Sequence, residues 1–460
     1  MSNNFGFLQE LLNTVADTSR GLIARRLFSE ADAKQGLQGL VDALMKGQGE
    51  ATGMAIANQL LRHYSDLDQE LRLVFFKYLA EVLKPDEARV KAAVTAYEAD
   101  PGDANLMALQ EAVESPRQEF FRRLNMAPGA TAQIVQMRKE LLAFVREEPS
   151  LQPIDRDLFH LLQSWFNRGF LVLRRIDWQT PAAILEKIIE YEAVHEIDGW
   201  DDLRRRLNPA DRRCFGFFHP SLIDEPLIFV EVALTDHVAQ DIHSLLAPAP
   251  AVEESAGPLP TTAVFYSISN CQDGLRGVSF GNFLIKQVVD ELKKEFESLK
   301  TFVTLSPVPR FTNWLDTVIQ GESSSDIELS DGEHEILGRL EEPLWWEQRE
   351  DDEELRDLIL ALAVHYFLEA KGPTGRPIDP VARFHLGNGA RLEKINWLAD
   401  TSSRGLKQSH GLMVNYLYDP REIEANHEAF ANLGQIAASR GVRTLEKTRT
   451  RRTPKVPSAS

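Results

Sequence analysis

The sequence predicts a multidomain protein that consists of an N-terminal all-α helical bundle followed by an α/β or α+β domain. A chain of 460 residues is longer than one compact hydrophobic core usually supports. Apolar residues recur with a helical period in the first part of the chain, and strand-like segments alternate with helical ones afterwards. We therefore expect a helical domain at 1–190, a mixed domain at 191–442 and a basic, disordered tail at 443–460.

Helical periodicity is clearest between residues 65 and 83, where the apolar residues lie on one stripe of a 3.6-residue repeat. These residues are Leu67, Leu71, Val74, Phe75, Tyr78, Leu79 and Val82. Earlier helices are expected at 7–15 and after the capping residue Ser29. Later helices are expected to begin near Pro85, Asp103, Pro128, Asp155 and Pro181. One short extended segment is expected at 171–173.

Strand-like segments dominate the chain after Trp200. Residues 214–218 and 226–234 are rich in aromatic and β-branched side chains, so we expect two strands joined by a turn at 219–225. After an exposed loop at 247–262, further strands are expected at 263–268, 302–305 and 411–418, and helical segments at 280–297 and 330–369. This order of strands and helices indicates an α/β or α+β domain.

The composition excludes several classes of function. A net charge of −18 argues against general nucleic-acid binding, which requires a basic surface. The chain has no run of 18 apolar residues and no basic, apolar secretory signal at its start, so we expect a cytoplasmic protein without a membrane partner. Cys214 and Cys271 are too few for a zinc site or a disulfide framework, and we expect two buried small side chains.

A glycine-rich turn at 269–282 lies between a predicted strand and a predicted helix. It contains Gly274, Gly277 and Gly281. Glycines allow successive backbone N–H groups to point at one anion, and the start of the following helix adds positive potential. Arg276 would add a charge-assisted hydrogen bond. The spacing is that of neither a Rossmann turn nor a Walker loop, and a tight packing turn is the alternative.

A serine followed by two prolines stands at the end of the strand predicted at 302–305. Pro307 biases Ser306 toward an extended backbone, and Pro309 restricts the following residues. A serine held at a strand end in this way is well placed to form a hydrogen bond with a ligand. The alternative is a Ser–Pro turn that starts the next helix.

A histidine, His385, lies between two apolar residues just before a Gly-Asn-Gly turn. We expect it on a strand, and its pKa range makes it the natural proton donor or acceptor near neutral pH. A structural histidine with satisfied hydrogen bonds is the alternative. In the closing strand at 411–418, Tyr416 and Tyr418 share one face, so one of them is expected to reach the same pocket.

Five separated segments together resemble the malonyl-CoA decarboxylase family, and the resemblance covers most of the chain. They are Phe-Tyr-Ser-Ile-Ser at 265–269, Gly-Asn-Phe-Leu-Ile-Lys at 281–286, Leu-Ser-Pro-Val-Pro-Arg-Phe at 305–311, Phe-His-Leu-Gly-Asn-Gly-Ala at 384–390 and Asn-Trp-Leu-Ala-Asp at 396–400. The glycine-rich turn resembles the Gln/Arg-x-x-Gly-x-Gly/Ala turn that holds the CoA pyrophosphate in the GNAT acetyltransferase superfamily, with a slightly longer spacing.

The resemblance implies an N-terminal domain involved in oligomerisation, with a homotetramer expected, and a GNAT-like catalytic domain that binds an acyl-CoA. It implies that Ser306 and His385 form the catalytic pair. The expected substrate-binding residues are Arg276, Gly277, Val278, Ser279, Phe280, Gly281, Asn282, Ser306, His385 and Tyr418. Position 279 is serine where an acidic residue is expected in some relatives, so any carboxylate that assists the histidine must come from elsewhere.

The implied reaction is the decarboxylation of malonyl-CoA to acetyl-CoA and CO2. In this reaction Ser306 would position the malonyl group, and His385 would donate a proton to the enolate carbon. No cofactor is expected, because CoA is part of the substrate and the sequence shows no metal-ligand cluster or convincing cofactor lysine. Two alternatives remain: a GNAT-type acyltransferase that acts on an amine, and a non-catalytic scaffold that binds a CoA ester.

Overall fold

The computed structural model describes residues 36–47, 49–247, 259–278, 284–321, 327–348, 352–373 and 375–445. These residues form two compact units. The helical unit comprises the described parts of Met1–Leu171, His219–Ile223 and Gln272–Phe280, and the sheet unit comprises the rest. The helices predicted at 7–15 and after Ser29, most of the loop predicted at 247–262 and most of the predicted tail lie outside the described residues.

The helical unit confirms the helical N-terminal region that the sequence predicts. Its α-helices are α1 (Gly36–Lys46), α2 (Glu50–Ser65), α3 (Gln69–Val82), α4 (Glu87–Ala99), α5 (Asp103–Val113), α6 (Pro116–Leu124), α7 (Ala130–Phe144) and α8 (Gln152–Trp165). Three short 3-10 helices also belong to this unit, at Pro149–Leu151, Arg168–Phe170 and Asp273–Leu275. Apolar and aromatic side chains such as Phe76, Phe120 and Leu158 fill the core.

The stripe predicted at 65–83 spans two different faces of α3. The helix begins at Gln69, because the carboxylate of Asp68 accepts the N–H of Leu71 at 2.9 Å and so caps the first turn. Phe75 is buried, whereas Val74 is 55% exposed. The helical period is therefore correct, but the start of the helix and the exposure of part of its stripe are not those expected from the sequence.

The sheet unit confirms the predicted α/β or α+β class, and its sheet is mixed. Its strands are β1 (Val172–Ile176), β2 (Arg212–Phe218), β3 (Pro226–Thr235), β4 (Thr262–Asn270), β5 (Thr301–Thr304), β6 (Ser306–Pro307), β7 (Arg391–Asn396) and β8 (Met413–Leu417). The strand order is β1-β2-β3-β4-β5-β8-β6, and β7 also pairs with β8. The β4–β5 pair is parallel, and the other pairs in this sheet are antiparallel.

Strand β1 lies in the part of the chain where the sequence predicts helices and one short extended segment. It pairs with β2 from Val172↔Phe218 to Ile176↔Cys214. Ile176 is its one buried residue, so the strand carries little apolar alternation for sequence analysis to detect. The first chain segment of the helical unit ends at Leu171, before the boundary predicted at 190, and the functional domain boundaries remain predictions.

Helices connect and cover the strands of the sheet unit. They are α9 (Ala182–Tyr191), α10 (Gly199–Leu207), α11 (Ile242–Leu246), α12 (Leu284–Glu295), α13 (Phe311–Ile319), α14 (Asp331–Gly338), α15 (Trp345–Gln348), α16 (Glu353–Leu368), α17 (Pro380–Gly387), α18 (Ser403–Ser409) and α19 (Ile423–Leu433), with a 3-10 turn at Arg339–Glu341. Within the described ranges, no helix is both long enough and apolar enough to cross a membrane.

We expect Gly389→Ala to destabilise the sheet unit more than Gly434→Ala. Gly389 has a φ of +83°, and an added Cβ would overlap the carbonyl oxygen of Ile423. Gly434 has a φ of +65° but nothing within 4 Å of an added Cβ, so its substitution costs only the strain of the left-handed backbone, about 1–2 kcal/mol. Denaturant unfolding of both variants measures the difference, and equal losses would show that the overlap is relieved at no cost.

Candidate active site

Ser306 lies where two short strands meet. Strand β5 ends at Thr304, and β6 pairs with β8 through Ser306↔Val414. Between the two strands, Leu305 donates its N–H to the carbonyl oxygen of Phe265 at 2.9 Å. The backbone on both sides of Ser306 is therefore held by hydrogen bonds, and the residue is buried. The predicted position of Ser306 at a strand end is confirmed.

His385 lies on a helix, so the prediction of a strand at this position is wrong. The carboxylate of Asp379 accepts the N–H of Ala382 at 2.8 Å and caps α17, and Pro380 occupies the first turn. The dipeptide Asp-Pro is therefore a helix-start signal, although the apolar neighbours of His385 also fit a strand. His385 lies in the last turn of α17, and Gly389 follows the end of this helix with a positive φ.

The structure brings three of the predicted site residues together. Nε2 of His385 is 3.0 Å from Oγ of Ser306, and Nδ1 of His385 is 2.8 Å from the hydroxyl oxygen of Tyr418. The ring of Tyr416 stacks on the imidazole with a centroid distance of 4.6 Å and an interplanar angle of 22°. Tyr416 and Tyr418 therefore both contact His385, one through its ring face and the other through its hydroxyl group.

The hydrogen-bonded groups around His385 are uncharged. Burial lowers the pKa of His385 to about 3, because the charged imidazolium loses its hydration. Burial also raises the pKa of Tyr418 well above its usual value. At pH 7 the imidazole is therefore neutral and carries one N–H, and the phenol keeps its proton.

Thr304 is a member of this cluster that sequence analysis missed. Oγ of Ser306 donates to Oγ1 of Thr304 at 2.9 Å, and Thr304 Oγ1 also accepts the backbone N–H of Tyr416 at 3.1 Å. Thr304 is completely buried. Residues 304 and 306 are two apart near a strand end, and side chains alternate along strands. This spacing indicates that Thr304 and Ser306 lie on the same face.

The described part of the glycine-rich turn belongs to the helical unit. Arg276 and Gly277 follow a 3-10 turn, Gly277 has a φ of +83°, and Val278 is buried. The guanidinium of Arg276 is 62% exposed and is 3.5 Å from the carboxylate of Asp273. The remaining predicted substrate-binding residues of this turn, Ser279, Phe280, Gly281 and Asn282, lie outside the described residues.

Arg138, a second residue that sequence analysis missed, fastens this turn to α7. Its Nη1 donates to the carbonyl oxygens of Gly274 at 2.7 Å and Arg276 at 3.0 Å, and its Nε donates to Asp155 at 2.7 Å. A Cβ at Gly274 would overlap the carbonyl oxygen of Val135, so the turn approaches α7 closely. Arg138 lies on the buried stripe of α7. Because charged side chains are rarely buried without a partner, an arginine at this position indicates an ion pair or hydrogen bonds.

The two cysteines are buried free thiols, as the sequence predicts. Burial raises the pKa of both Cys214 and Cys271 well above the usual value, so both remain protonated at neutral pH. In the ranges that the structure describes, no group of three or more His, Cys, Asp or Glu side chains is arranged to hold a metal ion.

Comparisons with known proteins agree with the resemblance found in the sequence. A family model described as the malonyl-CoA decarboxylase C-terminal domain matches residues 169–456, and one described as the malonyl-CoA decarboxylase N-terminal domain matches residues 83–166. The chain belongs to the malonyl-CoA decarboxylase family. The C-terminal match contains Ser306, His385 and Tyr418, and the N-terminal match contains Arg138.

Individual malonyl-CoA decarboxylases are similar over most of the chain. The curated mitochondrial enzyme of Anser anser anser is 38% identical over 347 residues, which cover 70% of this chain and 68% of the relative. The crystal structure of the Rhodopseudomonas palustris enzyme is 53% identical, with a TM-score of 0.83 over 89% of this chain and 98% of that one. The Agrobacterium vitis structure is 49% identical, with a TM-score of 0.83 over 89% and 99%.

We expect the imidazole of His385 to stay neutral in the free protein from pH 8 down to about pH 5. Its pKa lies near 3, so the ring gains a proton only well below this range. NMR of protein labelled with 15N-histidine follows the ring nitrogens directly, and the signal missing from His385→Gln assigns the residue. A titration of this signal with a midpoint near 6.5 would contradict the predicted effect of burial.

Proposed function

We propose that the protein decarboxylates malonyl-CoA to acetyl-CoA and CO2, with Ser306 and His385 at the reacting group. The observation that carries this proposal is the 3.0 Å contact between Ser306 Oγ and His385 Nε2, inside a domain that matches the malonyl-CoA decarboxylase family. Curated relatives that are 38% identical have the name malonyl-CoA decarboxylase. Five sequence segments that resemble this family, two of which contain Ser306 and His385, support the same reaction.

The reaction breaks the bond between the α-carbon and the carboxylate of the malonyl group. The electron pair of that bond passes into the α-carbon and the thioester oxygen, CO2 leaves, and the resulting enolate takes up one proton at carbon. Each turnover therefore consumes one proton. A positioned acid that supplies this proton typically contributes about 10²–10⁴-fold to the rate. His385 is the titratable group next to Ser306, so we assign it this role.

The substrate itself would supply the charge that His385 lacks in the free protein. Returning the pKa of His385 from about 3 to its usual 6.5 requires about 5 kcal/mol, at about 1.4 kcal/mol for each pKa unit. A carboxylate about 4 Å from the ring contributes about 4 kcal/mol at an effective dielectric constant of 20. The malonyl carboxylate thus offsets most of this free energy, so that a fraction of His385 is protonated near neutral pH. This imidazolium then gives its Nε2 proton to the carbon.

Ser306 is assigned the task of orienting the malonyl group beside His385. Its hydroxyl lies within hydrogen-bonding distance of the imidazole, and hydrogen bonds on both sides fix its backbone. The rings of Tyr416 and Tyr418 pack around the histidine and limit the access of water. Exclusion of water strengthens the electrostatic interaction between the imidazolium and the bound anion.

We also propose that residues 276–282 contact the CoA part of the substrate, as in the predicted GNAT-like arrangement. Arg276 supports this assignment, because its side chain is largely exposed and its ion pair with Asp273 is long, at 3.5 Å. The positive φ of Gly277 gives this turn the backbone freedom that anion-binding turns use. No metal or organic cofactor enters the proposed reaction, because CoA is part of the substrate.

Two further assignments from the sequence remain proposals. Self-association through the helical unit, as a homotetramer, is supported by apolar side chains that are exposed there, such as Leu71, Val74 and Met107. The second is a cytoplasmic location, whereas the names of the curated relatives identify those proteins as mitochondrial.

We expect Ser306→Ala and His385→Ala to lose turnover while they keep most of their affinity for CoA. Removal of the orienting hydroxyl or of the proton donor should lower kcat by about 10²–10⁴-fold, whereas the CoA moiety binds elsewhere. The release of CO2 from malonyl-CoA measures turnover, and calorimetry with CoA measures affinity. Ser409→Ala is the matched control, because Ser409 is also buried but its hydroxyl donates to the backbone carbonyl oxygens of Gly405 and Leu412.

The same assay separates the proposal from its alternatives. Wild-type protein that releases no CO2 but acylates an amine would be an acyltransferase, and tight binding of a CoA ester without turnover would indicate a scaffold. If the wild type is active and both substituted proteins keep its rate, the reaction is correct but the site assignment is wrong.

We expect Arg138→Met to raise the KM for malonyl-CoA more than Arg117→Met does. Both arginines form buried ion pairs in the helical unit, Arg117 with Asp157 at 2.7 Å, but only Arg138 holds the carbonyl oxygens of Gly274 and Arg276. Loss of these charge-assisted bonds, about 1.5–3 kcal/mol, predicts an increase in KM of about tenfold or more. Steady-state kinetics and unfolding of both variants provide the comparison, and equal effects on KM would leave the turn without a role in CoA binding.

A further inference from the structure

A continuous row of buried hydrogen-bonded groups runs through the proposed site. It connects the hydroxyl of Tyr418, both ring nitrogens of His385, the hydroxyl of Ser306 and the hydroxyl of Thr304. The successive heavy-atom distances are 2.8, 3.0 and 2.9 Å. The backbone N–H of Tyr416 closes the row at Thr304, at 3.1 Å. Both ring nitrogens of the histidine thus have partners, and the row fixes where its single hydrogen lies.

The Thr304 end of the row sets the direction of the hydrogen bonds. Ser306 donates its only hydroxyl hydrogen to Thr304 Oγ1. The oxygen of Ser306 can then only accept from His385, so the hydrogen of the neutral imidazole must be on Nε2. Nδ1 is left with a lone pair, and the hydroxyl of Tyr418 donates to it.

Without the hydroxyl group of Thr304 the opposite direction becomes available. Ser306 can turn its hydrogen toward Nε2, the imidazole then carries its hydrogen on Nδ1, and Nδ1 donates to the oxygen of Tyr418. In that arrangement a lone pair on Nε2 faces Ser306. An anionic malonyl group placed beside Ser306 would meet this lone pair instead of an N–H donor.

We propose that Thr304 is a positioning residue that keeps the hydrogen of His385 on Nε2 by accepting the hydroxyl hydrogen of Ser306. This inference rests on the proposed function, in which Ser306 and His385 face the malonyl group. The N–H directed at Ser306 is then present before the substrate binds. The proton that completes the imidazolium is added to Nδ1, on the side of Tyr418.

Thr304→Val and Thr304→Ser test the role of this hydroxyl group. Valine keeps the shape of threonine without its oxygen, whereas serine keeps the oxygen. The first readout is 15N NMR of His385 in the free protein, because the shifts of protonated and unprotonated ring nitrogens differ. We expect Nε2 to carry the hydrogen in the wild type and in Thr304→Ser, and Nδ1 to carry some or all of it in Thr304→Val.

The second readout is turnover of malonyl-CoA. We expect Thr304→Val to lower kcat by about 10²-fold, the lower end of the effect of a misplaced proton donor, and Thr304→Ser to restore most of it. Thr262→Val is the matched control, because Thr262 is a buried threonine of β4 in the same sheet and its hydroxyl group is not in this row. The control should keep wild-type turnover.

Three results would overturn the proposal. A wild-type signal that places the hydrogen on Nδ1 would do so even if the valine variant does not fold. A Thr304→Val protein that keeps both the Nε2 hydrogen and wild-type kcat would show that the hydroxyl group has no influence. Equal losses in the valine and serine variants would indicate packing alone. Failure of the proposed function is distinguishable, because it would appear as wild-type protein that releases no CO2.

Discussion

The hydrogen bond between Ser306 and His385 joins parts of the sheet unit that are 79 residues apart in sequence. On one side, the chain is interrupted at Leu305 between β5 and β6, and both strands still pair with β8. Ser306 therefore lies at the junction of the two strands. On the other side, the capped helix α17 must end where His385 reaches that junction. Strand β8 takes part in both requirements, because it pairs with β6 and leads directly into Tyr418, the partner of Nδ1.

The absence of charge on the side chains bonded to His385 is a local property of this cluster rather than of the whole sheet unit. Elsewhere the unit buries the guanidinium of Arg206, which lies 3.0 Å from the carboxylate of Asp202. An imidazole beside such a carboxylate would be stabilised in its charged form. The phenol and hydroxyl groups around His385 satisfy its hydrogen bonds without doing so, and its pKa therefore stays low in the free protein.

Sequence patterns predicted the main features of the fold because those features carry strong local signals. The strands β2 and β3 are dense in apolar residues and almost continuously buried, and the helices of the N-terminal unit have apolar periodicity. The helix that carries His385 was missed, since the apolar neighbours of the histidine fit a strand equally well over so short a segment. Strand β1 was nearly missed because most of its residues are not buried. Local capping by Asp379 decides the first case, whereas pairing with β2 decides the second.

The candidate site was predictable where the residues themselves are chemically unusual, as at the Ser-Pro turn and at His385. Thr304 and Arg138 escaped because their importance lies in partners that the sequence does not place beside them. Thr304 accepts one hydrogen bond from Ser306, two residues along the chain, and one from the backbone N–H of Tyr416 across the β5–β8 contact. Arg138 meets carbonyl oxygens that are more than 130 residues away. Family resemblance supplied the pairing of Ser306 with His385, whereas only the structure supplied these supporting contacts.

A neutral buried histidine also makes the proposed site favour the malonyl group of the substrate over the acetyl group of the product. The substrate carries a carboxylate, and the product acetyl-CoA does not. Binding of malonyl-CoA would raise the pKa of His385, and loss of CO2 would move the negative charge onto the enolate beside the imidazolium. Once the carbon has taken the proton, no anion remains at the acyl group to hold a charged ring in this buried position. The imidazole then returns to the neutral state that burial favours, and the acetyl group loses the attraction that bound its precursor.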